Sequence, residues 1–205
     1  MPGHAASPRL TSKFADALGY AAHKHELQTR KASEVPYIGH LLSVAGLVIE
    51  DGGTERQAIA ALLHDAAEDQ GGRQTLAEIG ERFGADVASV VEECSDTFET
   101  PKPPWRGRKE AYIDHLREAS DDAVLVSLAD KLDNARAILR DFRIHGPAVW
   151  QRFSVQDPQP HLWYYRSLLD VFTERSHSWM VGELREVIDA LEQAIDREAR
   201  SEGEG

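Results

Sequence analysis

Two pairs of ionisable residues follow a short apolar run in the stretch ALLHDAAEDQ, residues 61–70. His64 and Asp65 form the first pair, and Glu68 and Asp69 form the second. On a continuous helix, side chains four residues apart share a face, so His64 would lie beside Glu68 and Asp65 beside Asp69. An acidic cluster at the C-terminal end of a helix opposes the helix dipole and needs a nearby cation. We therefore weigh a cation site against the simpler interpretation, a solvated helix end.

Two further residues could complete such a cation site. His40 lies among apolar neighbours, where a lone histidine is more often a hydrogen-bonded core residue than a ligand. Asp130 lies inside the most apolar segment of the chain, and a buried carboxylate is costly unless it is paired or bound to a metal. The adjacent Lys131 is expected to point elsewhere. Two imidazoles and two carboxylates would suit Mn, Fe, Co or Zn better than Ca or Mg, and they would leave room for water and substrate oxygens.

Composition restricts the class of protein and the kind of partner. The 205 residues predict one domain over 12–200, with flexible ends at 1–11 and 201–205. The net charge of −12 repels nucleic acid and anionic membranes, but it does not exclude a small anionic substrate that is held in a local basic pocket or on a metal. No apolar stretch reaches the roughly 20 residues needed to span a bilayer. Cys94 is the single cysteine, which fits a reducing cytoplasm and predicts a buried thiol.

The periodicity of the apolar residues predicts an all-α fold. Two capping boxes are expected to start helices, TERQ at 54–57 and TLAE at 75–78. Proline-rich or irregular stretches at 97–107 and 154–161 are expected to be loops. The predicted helices span residues 12–28, 36–51, 54–69, 75–84, 85–96, 108–120, 121–143, 162–175 and about 179–198.

The segment AVLVSLAD, residues 123–130, permits two interpretations. It could be a buried strand that ends in a catalytic aspartate, as in α/β enzymes. No other segment resembles a parallel strand that could pair with it, and helical spacing continues through Leu132, Ala135 and Ile138. We therefore interpret the segment as part of a central, nearly all-apolar helix.

The order of these residues resembles the HD-domain metal phosphohydrolase superfamily, with His40, then His64-Asp65, then Asp130. More narrowly, the chain resembles the hydrolase domain of Rel/Spo-type stringent-response enzymes and the stand-alone small alarmone hydrolases. The pattern HDxxED followed by TLxEIxxxFG is more specific than the His-Asp pair alone, and the resemblance covers most of residues 21–140. It implies an HD-type helical bundle and hydrolysis of the 3′-pyrophosphate of ppGpp or pppGpp to GDP or GTP and pyrophosphate.

The resemblance also implies a metal site and an acidic pair for hydrolysis. Glu68 and Asp69 match the carboxylates that the family uses for catalysis. Because they would lie near a third carboxylate on the metal, one of them is expected to have a raised pKa. The sequence leaves open which of the two is the general base. By the same resemblance, one divalent ion, usually Mn²⁺, would be ligated by His40, His64, Asp65 and Asp130.

Three residues match the family's substrate contacts. Arg30 and Lys31 match the RK pair that meets the base and the phosphates, and Asn134 matches the asparagine of ADxxxN that meets the nucleoside. His40 follows Arg30 by ten positions, where nine are usual in the family, and this extra residue permits a different base preference. Other nucleotides therefore stay open as substrates, namely ppApp, NADPH or a dNMP.

Two alternatives to an enzyme also stay open: a non-catalytic nucleotide-sensing module, and a plain helical bundle without metal. A homo-oligomer is compatible with the sequence. A basic run after the proline-rich loop is interpreted as a solvated helix start, with an anion site as its alternative. An aromatic cluster further on is interpreted as core packing or as a cover over the nucleoside. These two clusters are Arg106, Arg108 and Lys109, and Trp163, Tyr164 and Tyr165.

Overall fold

The computed structural model describes residues 10–31, 33–99 and 101–203. The flexible end predicted at 1–11 therefore lies almost wholly outside the described residues. Within them the regular elements are helices, with one isolated bridge between Thr29 and Pro36, so the all-α prediction is confirmed. The chain divides into two compact units, Met1–Lys102 and Pro103–Gly205. A single domain over 12–200 stays a prediction.

The first unit is arranged around one short, buried helix. Among its described residues the helices are α1 (Ser12–Lys24), α2 (Ile38–Glu50), α3 (Glu55–Leu63), α4 (Ala66–Asp69), α5 (Gly72–Phe83) and α6 (Ala85–Cys94). Helix α3 packs against α1, α2 and α6, and every residue from Ala58 to Leu63 is buried. Because α3 ends directly before His64, its packing determines where the ionisable pairs lie.

Helix α3 begins as predicted and ends earlier than predicted. The Thr54–Gln57 capping box is present, with both reciprocal hydrogen bonds. The continuous helix expected up to residue 69 is wrong, because His64 and Asp65 form a turn before α4. The His64 Nδ1 lies 2.8 Å from the Ala61 carbonyl oxygen, and it therefore uses the acceptor that a regular helix would offer to the Asp65 N–H.

The turn between α4 and α5 brings Gln70 close to the ionisable pairs. The capping box expected at 75–78 is wrong, because α5 already begins at Gly72. The Thr75 hydroxyl instead donates to the Gln70 carbonyl at 2.5 Å. Gly71 has a φ of 118°, and a Cβ at this position would lie 2.6 Å from the Thr75 Oγ1. Glycine is therefore required for this abrupt change of direction.

The second unit is arranged around one long helix. Its described elements are α7 (Trp105–Glu118), α8 (Asp121–His145), a 3-10 helix (Gly146–Arg152), α9 (Pro158–Arg175) and α10 (Met180–Gly203). Helix α8 includes the ambiguous segment 123–130, so the helical interpretation is confirmed, and it packs against α9, α10 and the 3-10 helix. Pro158 lies in the predicted loop 154–161 and yet opens α9, because proline is tolerated at a first helical position.

The helices bury their apolar residues inside the two units. In the second unit one core cluster includes Phe142, Trp150 and Leu162. Cys94 is buried, as predicted. In the part of the chain that the structure describes, we find no helix with both the length and the apolar character needed to cross a bilayer.

Candidate functional site

Three of the four predicted metal ligands come together in the first unit. The donor atoms of His40, His64 and Asp65 all lie within 4.8 Å of one another. The Oδ2 of Asp65 is 3.0 Å from the Nε2 of His64 and 3.6 Å from the Nε2 of His40. Two ligand atoms about 2.1 Å from an ion, at roughly 90–110° to each other, are themselves roughly 3.0–3.5 Å apart. These separations therefore fit one divalent ion.

The local structure presents the correct imidazole nitrogens to this site. His40 lies in the first turn of α2 and is 3% exposed, and its ring meets the His64 ring edge to face at 5.3 Å. The Ala61 carbonyl can only accept, so the His64 Nδ1 carries the proton of this hydrogen bond. In the neutral ring the Nε2 then keeps the lone pair that a metal requires.

The fourth predicted ligand, Asp130, belongs to the second unit and has a cation beside it. Its Oδ2 accepts a hydrogen bond from the Lys131 ammonium at 2.5 Å, and its Oδ1 accepts one from the Asn134 amide at 2.5 Å. The expectation that Lys131 points elsewhere is wrong, because a long flexible side chain can fold back along its own helix. Since Asp130 is paired, its burial alone does not require a metal, and its role as a ligand stays a prediction.

Lys131 is charged in this buried position. Burial is the largest single effect and would lower the pKa of Lys131. The negative charge of Asp130, the electrostatic effects of Tyr112 and Tyr164 and the hydrogen bond to Asp130 together outweigh it, and they hold the pKa well above its ordinary value. The ammonium also lies 5.1 Å from the centre of the Tyr112 ring, in a cation–π contact. The N-terminal half of α8 therefore contains a paired charge.

Glu68 connects α4 to the segment that follows α6. Its Oε2 accepts the backbone N–H of Asp96 at 2.7 Å, and its Oε1 accepts the Lys102 ammonium at 2.6 Å. Lys102 keeps 46% of its side chain exposed. Both carboxylate oxygens of Glu68 therefore have donors, and Lys102 adds a cation that the sequence analysis did not assign to the site.

Asp69 has a different environment from its neighbour. Its Oδ2 accepts a hydrogen bond from the Gln28 amide at 2.8 Å. Burial of the carboxyl, and then the charge of Asp65, raise the pKa of Asp69, while the Gln28 hydrogen bond opposes the rise. The residue as a whole is exposed, so solvent screening limits the shift. The expectation that one acid of the pair has a raised pKa is confirmed, and that acid is Asp69.

Three residues that contact the site were given no role by the sequence analysis. The Tyr37 hydroxyl donates to the Asp65 Oδ2 at 2.5 Å, and the Tyr37 ring stacks on His25 with centroids 5.2 Å apart. Gln28 lies between His25 and Asp69, because its Oε1 is 2.6 Å from the His25 Nδ1 and its Nε2 donates to the Asp69 Oδ2. Tyr37 precedes Asp65 by 28 positions and Gln28 precedes Asp69 by 41, and such distant pairs leave no periodic signal in the sequence.

The predicted substrate residues lie in two different places. Arg30 and Lys31 lie in the connection between α1 and α2, where Arg30 is half-buried and Lys31 is exposed. Within this connection the Arg30 N–H donates to the Val35 carbonyl at 2.9 Å. Residue 32 of this connection lies outside the described part of the chain. Asn134 contacts Asp130 in the second unit. The contacts of these three residues with a nucleotide stay predictions.

The basic run and the aromatic cluster contact each other within the second unit. The Arg106 guanidinium lies 3.2 Å from the centre of the Trp163 ring, and its Nε donates to Glu110 at 2.7 Å. Lys109 lies 4.9 Å from the centre of the Tyr164 ring, and that ring is buried. These contacts favour packing of a helix start over an anion site.

Comparison with known proteins agrees with this arrangement. A family model described as HD domain matches residues 17–156. The guanosine-3′,5′-bis(diphosphate) 3′-pyrophosphohydrolase MESH1 of Xenopus tropicalis is 41% identical over 145 residues, which are 69% of this chain and 76% of that protein. The enzyme of the same name from Mus musculus is 38% identical over 149 residues, 71% of this chain and 78% of that protein. A solved structure of a metazoan ortholog of SpoT that hydrolyzes ppGpp is similar with a TM-score of 0.71 and 28% identity, over 87% of this chain and 95% of that one.

Proposed function

The chain belongs to the HD domain family, and from this membership we propose that it hydrolyses the 3′-pyrophosphate of guanosine alarmones, with a divalent metal ion as cofactor. The observation that carries the proposal is the convergence of His40, His64 and Asp65 beside the acidic pair Glu68-Asp69. This group lies within the matched residues 17–156. The relatives at 41% and 38% identity, whose names state this activity, support the choice of reaction.

The metal site in this proposal consists of three described ligands and one predicted ligand. His40, His64 and Asp65 would hold the ion, Asp130 would be the fourth ligand, and Mn²⁺ is the ion that the resemblance implies. The ion would supply Lewis-acid polarisation of a phosphate oxygen and would acidify a water molecule. The two imidazoles and the carboxylates suit such a transition metal better than Ca²⁺ or Mg²⁺.

Asp69 is the general base in this mechanism. A raised pKa brings a carboxylate closer to the pH at which it must take a proton, which suits a base. Glu68 is less suited, because both of its oxygens already accept hydrogen bonds. Asp69 would take the proton of the water whose oxygen attacks the phosphorus attached to O3′. The bond between that phosphorus and O3′ breaks, a proton reaches O3′, and pyrophosphate and GDP or GTP are released.

Local cations must offset the charge of such a substrate, because the chain carries a net charge of −12. Arg30 and Lys31 are the predicted contacts for base and phosphates, and Asn134 is the predicted contact for the nucleoside. Lys102 is a further proposed contact for the phosphates, because its partly exposed ammonium lies against Glu68, next to Asp69 in the chain.

The cytoplasmic location, the lack of nucleic-acid partners and the homo-oligomer stay predictions.

A substrate panel tests the proposed function. The purified protein is assayed with Mn²⁺ against ppGpp, pppGpp, ppApp, NADPH and dNMPs, with separate detection of phosphate and pyrophosphate. We expect pyrophosphate with GDP or GTP from the guanosine alarmones, and no turnover by His64→Ala. Turnover of ppApp, NADPH or a dNMP alone would contradict the proposed substrate. Tight nucleotide binding without any turnover would favour a sensing module.

A further inference from the structure

The side-chain amide of Gln28 connects one acid of the site to two other residues. Its Nε2 donates to the Asp69 Oδ2 at 2.8 Å. Its Oε1 lies 2.6 Å from the His25 Nδ1 and 2.6 Å from the Gln70 Nε2. We propose that Gln28, oriented by His25 and Gln70, is a positioning residue that holds the Asp69 carboxylate in the orientation needed to accept a proton. This inference rests on the proposed function.

The hydrogen bonds allow only one orientation of the Gln28 amide. In that orientation the NH₂ group donates to the Asp69 carboxylate, and the oxygen accepts from two nitrogens. A rotation of the amide by 180° would place its oxygen against the Asp69 Oδ2, so that two acceptors would face each other. The same rotation would place the NH₂ group against the Gln70 NH₂, so that two donors would meet. The Asp69 carboxylate, which can only accept, therefore sets the orientation of the amide, and the contacts with His25 and Gln70 are consistent with it.

This orientation determines the tautomer of His25. The amide oxygen of Gln28 can only accept, so the His25 Nδ1 carries the hydrogen. His25 is 3% exposed, and burial lowers the pKa of its ring, which favours the neutral form. The ring stacks on Tyr37 at an interplanar angle of 25°, which restricts its rotation. His25 thus presents a fixed N–H group to Gln28.

The backbone holds the members of this group in place. The His25 N–H closes the end of α1 by donating to the Ala21 carbonyl at 3.1 Å. The Gln28 N–H donates to the His25 carbonyl at 3.0 Å, and the Gln28 carbonyl accepts the Tyr37 N–H at 2.9 Å. These backbone hydrogen bonds hold the Gln28 backbone in place, and they therefore restrict the directions in which its side chain can extend towards Asp69.

Asp69 needs such support because of where it lies. It is the last residue of α4, a helix of four residues, and it is exposed to solvent. A side chain at the end of so short a helix can adopt several rotamers, and a general base acts efficiently only within hydrogen-bond reach of its proton. A donor held by the buried His25 and the half-buried Gln70 therefore gives Asp69 the fixed geometry that its own helix does not supply.

Steady-state kinetics with ppGpp and Mn²⁺ test the inference. Gln28→Met keeps the length of the side chain and removes its hydrogen bonds, and we expect a fall in kcat of roughly 10–100-fold with KM within about twofold. The matched control is Gln74→Met, an exposed glutamine of α5, which is expected to keep the wild-type kcat. Thermal melting of both variants shows that they fold. A folded Gln28→Met protein with wild-type kcat would overturn the inference.

Two substitutions of His25 test the role of its N–H group. The amide of His25→Asn can place a donor near the position of Nδ1, so this variant is expected to keep kcat within about threefold of wild type. His25→Phe keeps a ring without a donor and should lose kcat as Gln28→Met does. Equal kcat values for the two variants would contradict the proposed role of the His25 N–H group in orienting Gln28.

A spectroscopic measurement separates this inference from the proposed function. Nitrogen-15 NMR of the wild-type protein should show the His25 ring protonated on Nδ1 and not on Nε2. A hydrogen on Nε2 alone would overturn the inference without any assay. If the wild type hydrolyses none of the nucleotides, the proposed function fails, and the positioning role fails with it. If the wild type is active and only the Gln28 and His25 variants behave otherwise than expected, the inference alone fails.

Discussion

The Tyr37 hydroxyl donates a hydrogen bond to the Oδ2 of Asp65 at 2.5 Å. This same oxygen lies 3.0 Å from the Nε2 of His64, so it is both the acceptor of the phenol and the proposed metal ligand. Hydrogen bonds of this kind orient a ligating carboxylate before the ion binds. Tyr37, which directly precedes α2, therefore contacts the same carboxylate that His40 of α2 approaches.

Tyr37→Phe is expected to weaken Mn²⁺ binding. The variant keeps the ring stacked on His25 and removes only the hydroxyl, so the Asp65 carboxylate loses its fixed orientation, and affinity should fall roughly 10–100-fold. Calorimetric titration or competition with a chelator measures the change. Tyr20→Phe is the control, because the Tyr20 hydroxyl bonds to Glu78 instead. Equal affinity in the wild type and Tyr37→Phe would show that this hydrogen bond does not tune the site.

Removal of the metal is expected to lower the melting temperature. An ion that binds only the folded state adds about 2.7 kcal/mol to the free energy of unfolding when its concentration is 100 times the Kd. Thermal denaturation is recorded with excess Mn²⁺, after EDTA treatment, and after Mn²⁺ is restored. In His64→Ala the three curves should coincide. If EDTA leaves the melting temperature of the wild type unchanged, no metal was bound.

Asp69→Asn is expected to reduce kcat by roughly 10²–10⁴-fold, because the amide cannot take a proton. Substrate and metal binding should persist, which equilibrium titration checks. Glu68→Gln should reduce kcat less than Asp69→Asn does, because the amide oxygen of the new side chain can still accept the Asp96 N–H. A larger loss for Glu68→Gln than for Asp69→Asn would reverse the assignment of the base.

The pH profile gives an independent check on Asp69. Its raised pKa means that the carboxyl is still protonated at pH values where an ordinary aspartate is ionised. The acidic limb of kcat/KM should therefore lie above the ordinary value of 3.8, with activity lost as the pH falls through it. A limb at or below this value would argue against Asp69 as the base.

Lys102→Met is expected to raise the KM for ppGpp more than it affects stability. The Lys102–Glu68 pair is partly exposed, so its loss should change the free energy of unfolding by about 1 kcal/mol at most. In the variant the polyanionic substrate loses a cation beside the site, so its KM should be higher. Because salt screens this attraction, the KM of the wild type should rise with salt concentration more steeply than the KM of the variant. Lys13→Met, in the first turn of α1, is the control. An unchanged KM would show that Lys102 does not contribute to substrate binding.

His25 is expected to make the metal-free protein less stable at acidic pH. Because burial lowers its pKa in the folded state, the unfolded state takes up a proton first as the pH falls through 6.5. The unfolded state is then favoured, and the free energy of unfolding decreases. Urea denaturation with EDTA at pH 7.5 and 5.5 should show a smaller decrease for His25→Asn than for the wild type. Equal decreases would mean that His25 is protonated equally in both states.

The fold class and the residues that could bind a metal can be predicted from the amino-acid sequence. Helix periodicity is a local property, so the long segment 121–143 was correctly interpreted as a helix, and the capping box at Thr54 was found. His40, His64 and Asp65 were predicted as ligands from their types and their order along the chain, and the structure brings their donor atoms within 4.8 Å of one another. Residue type alone limits which side chains can bind an ion, so the candidate ligands could be predicted without the tertiary structure.

Which polar groups surround those residues depends on how the helices pack. The helix breaks at His64, where the imidazole contacts the Ala61 carbonyl, and the Lys131–Asp130 pair depends on how a flexible side chain folds back. The Gln28–Asp69 and Tyr37–Asp65 hydrogen bonds join positions 41 and 28 residues apart. Such contacts exist because helix packing brings distant side chains within 3 Å of each other, and packing is a property of the whole unit rather than of any local pattern.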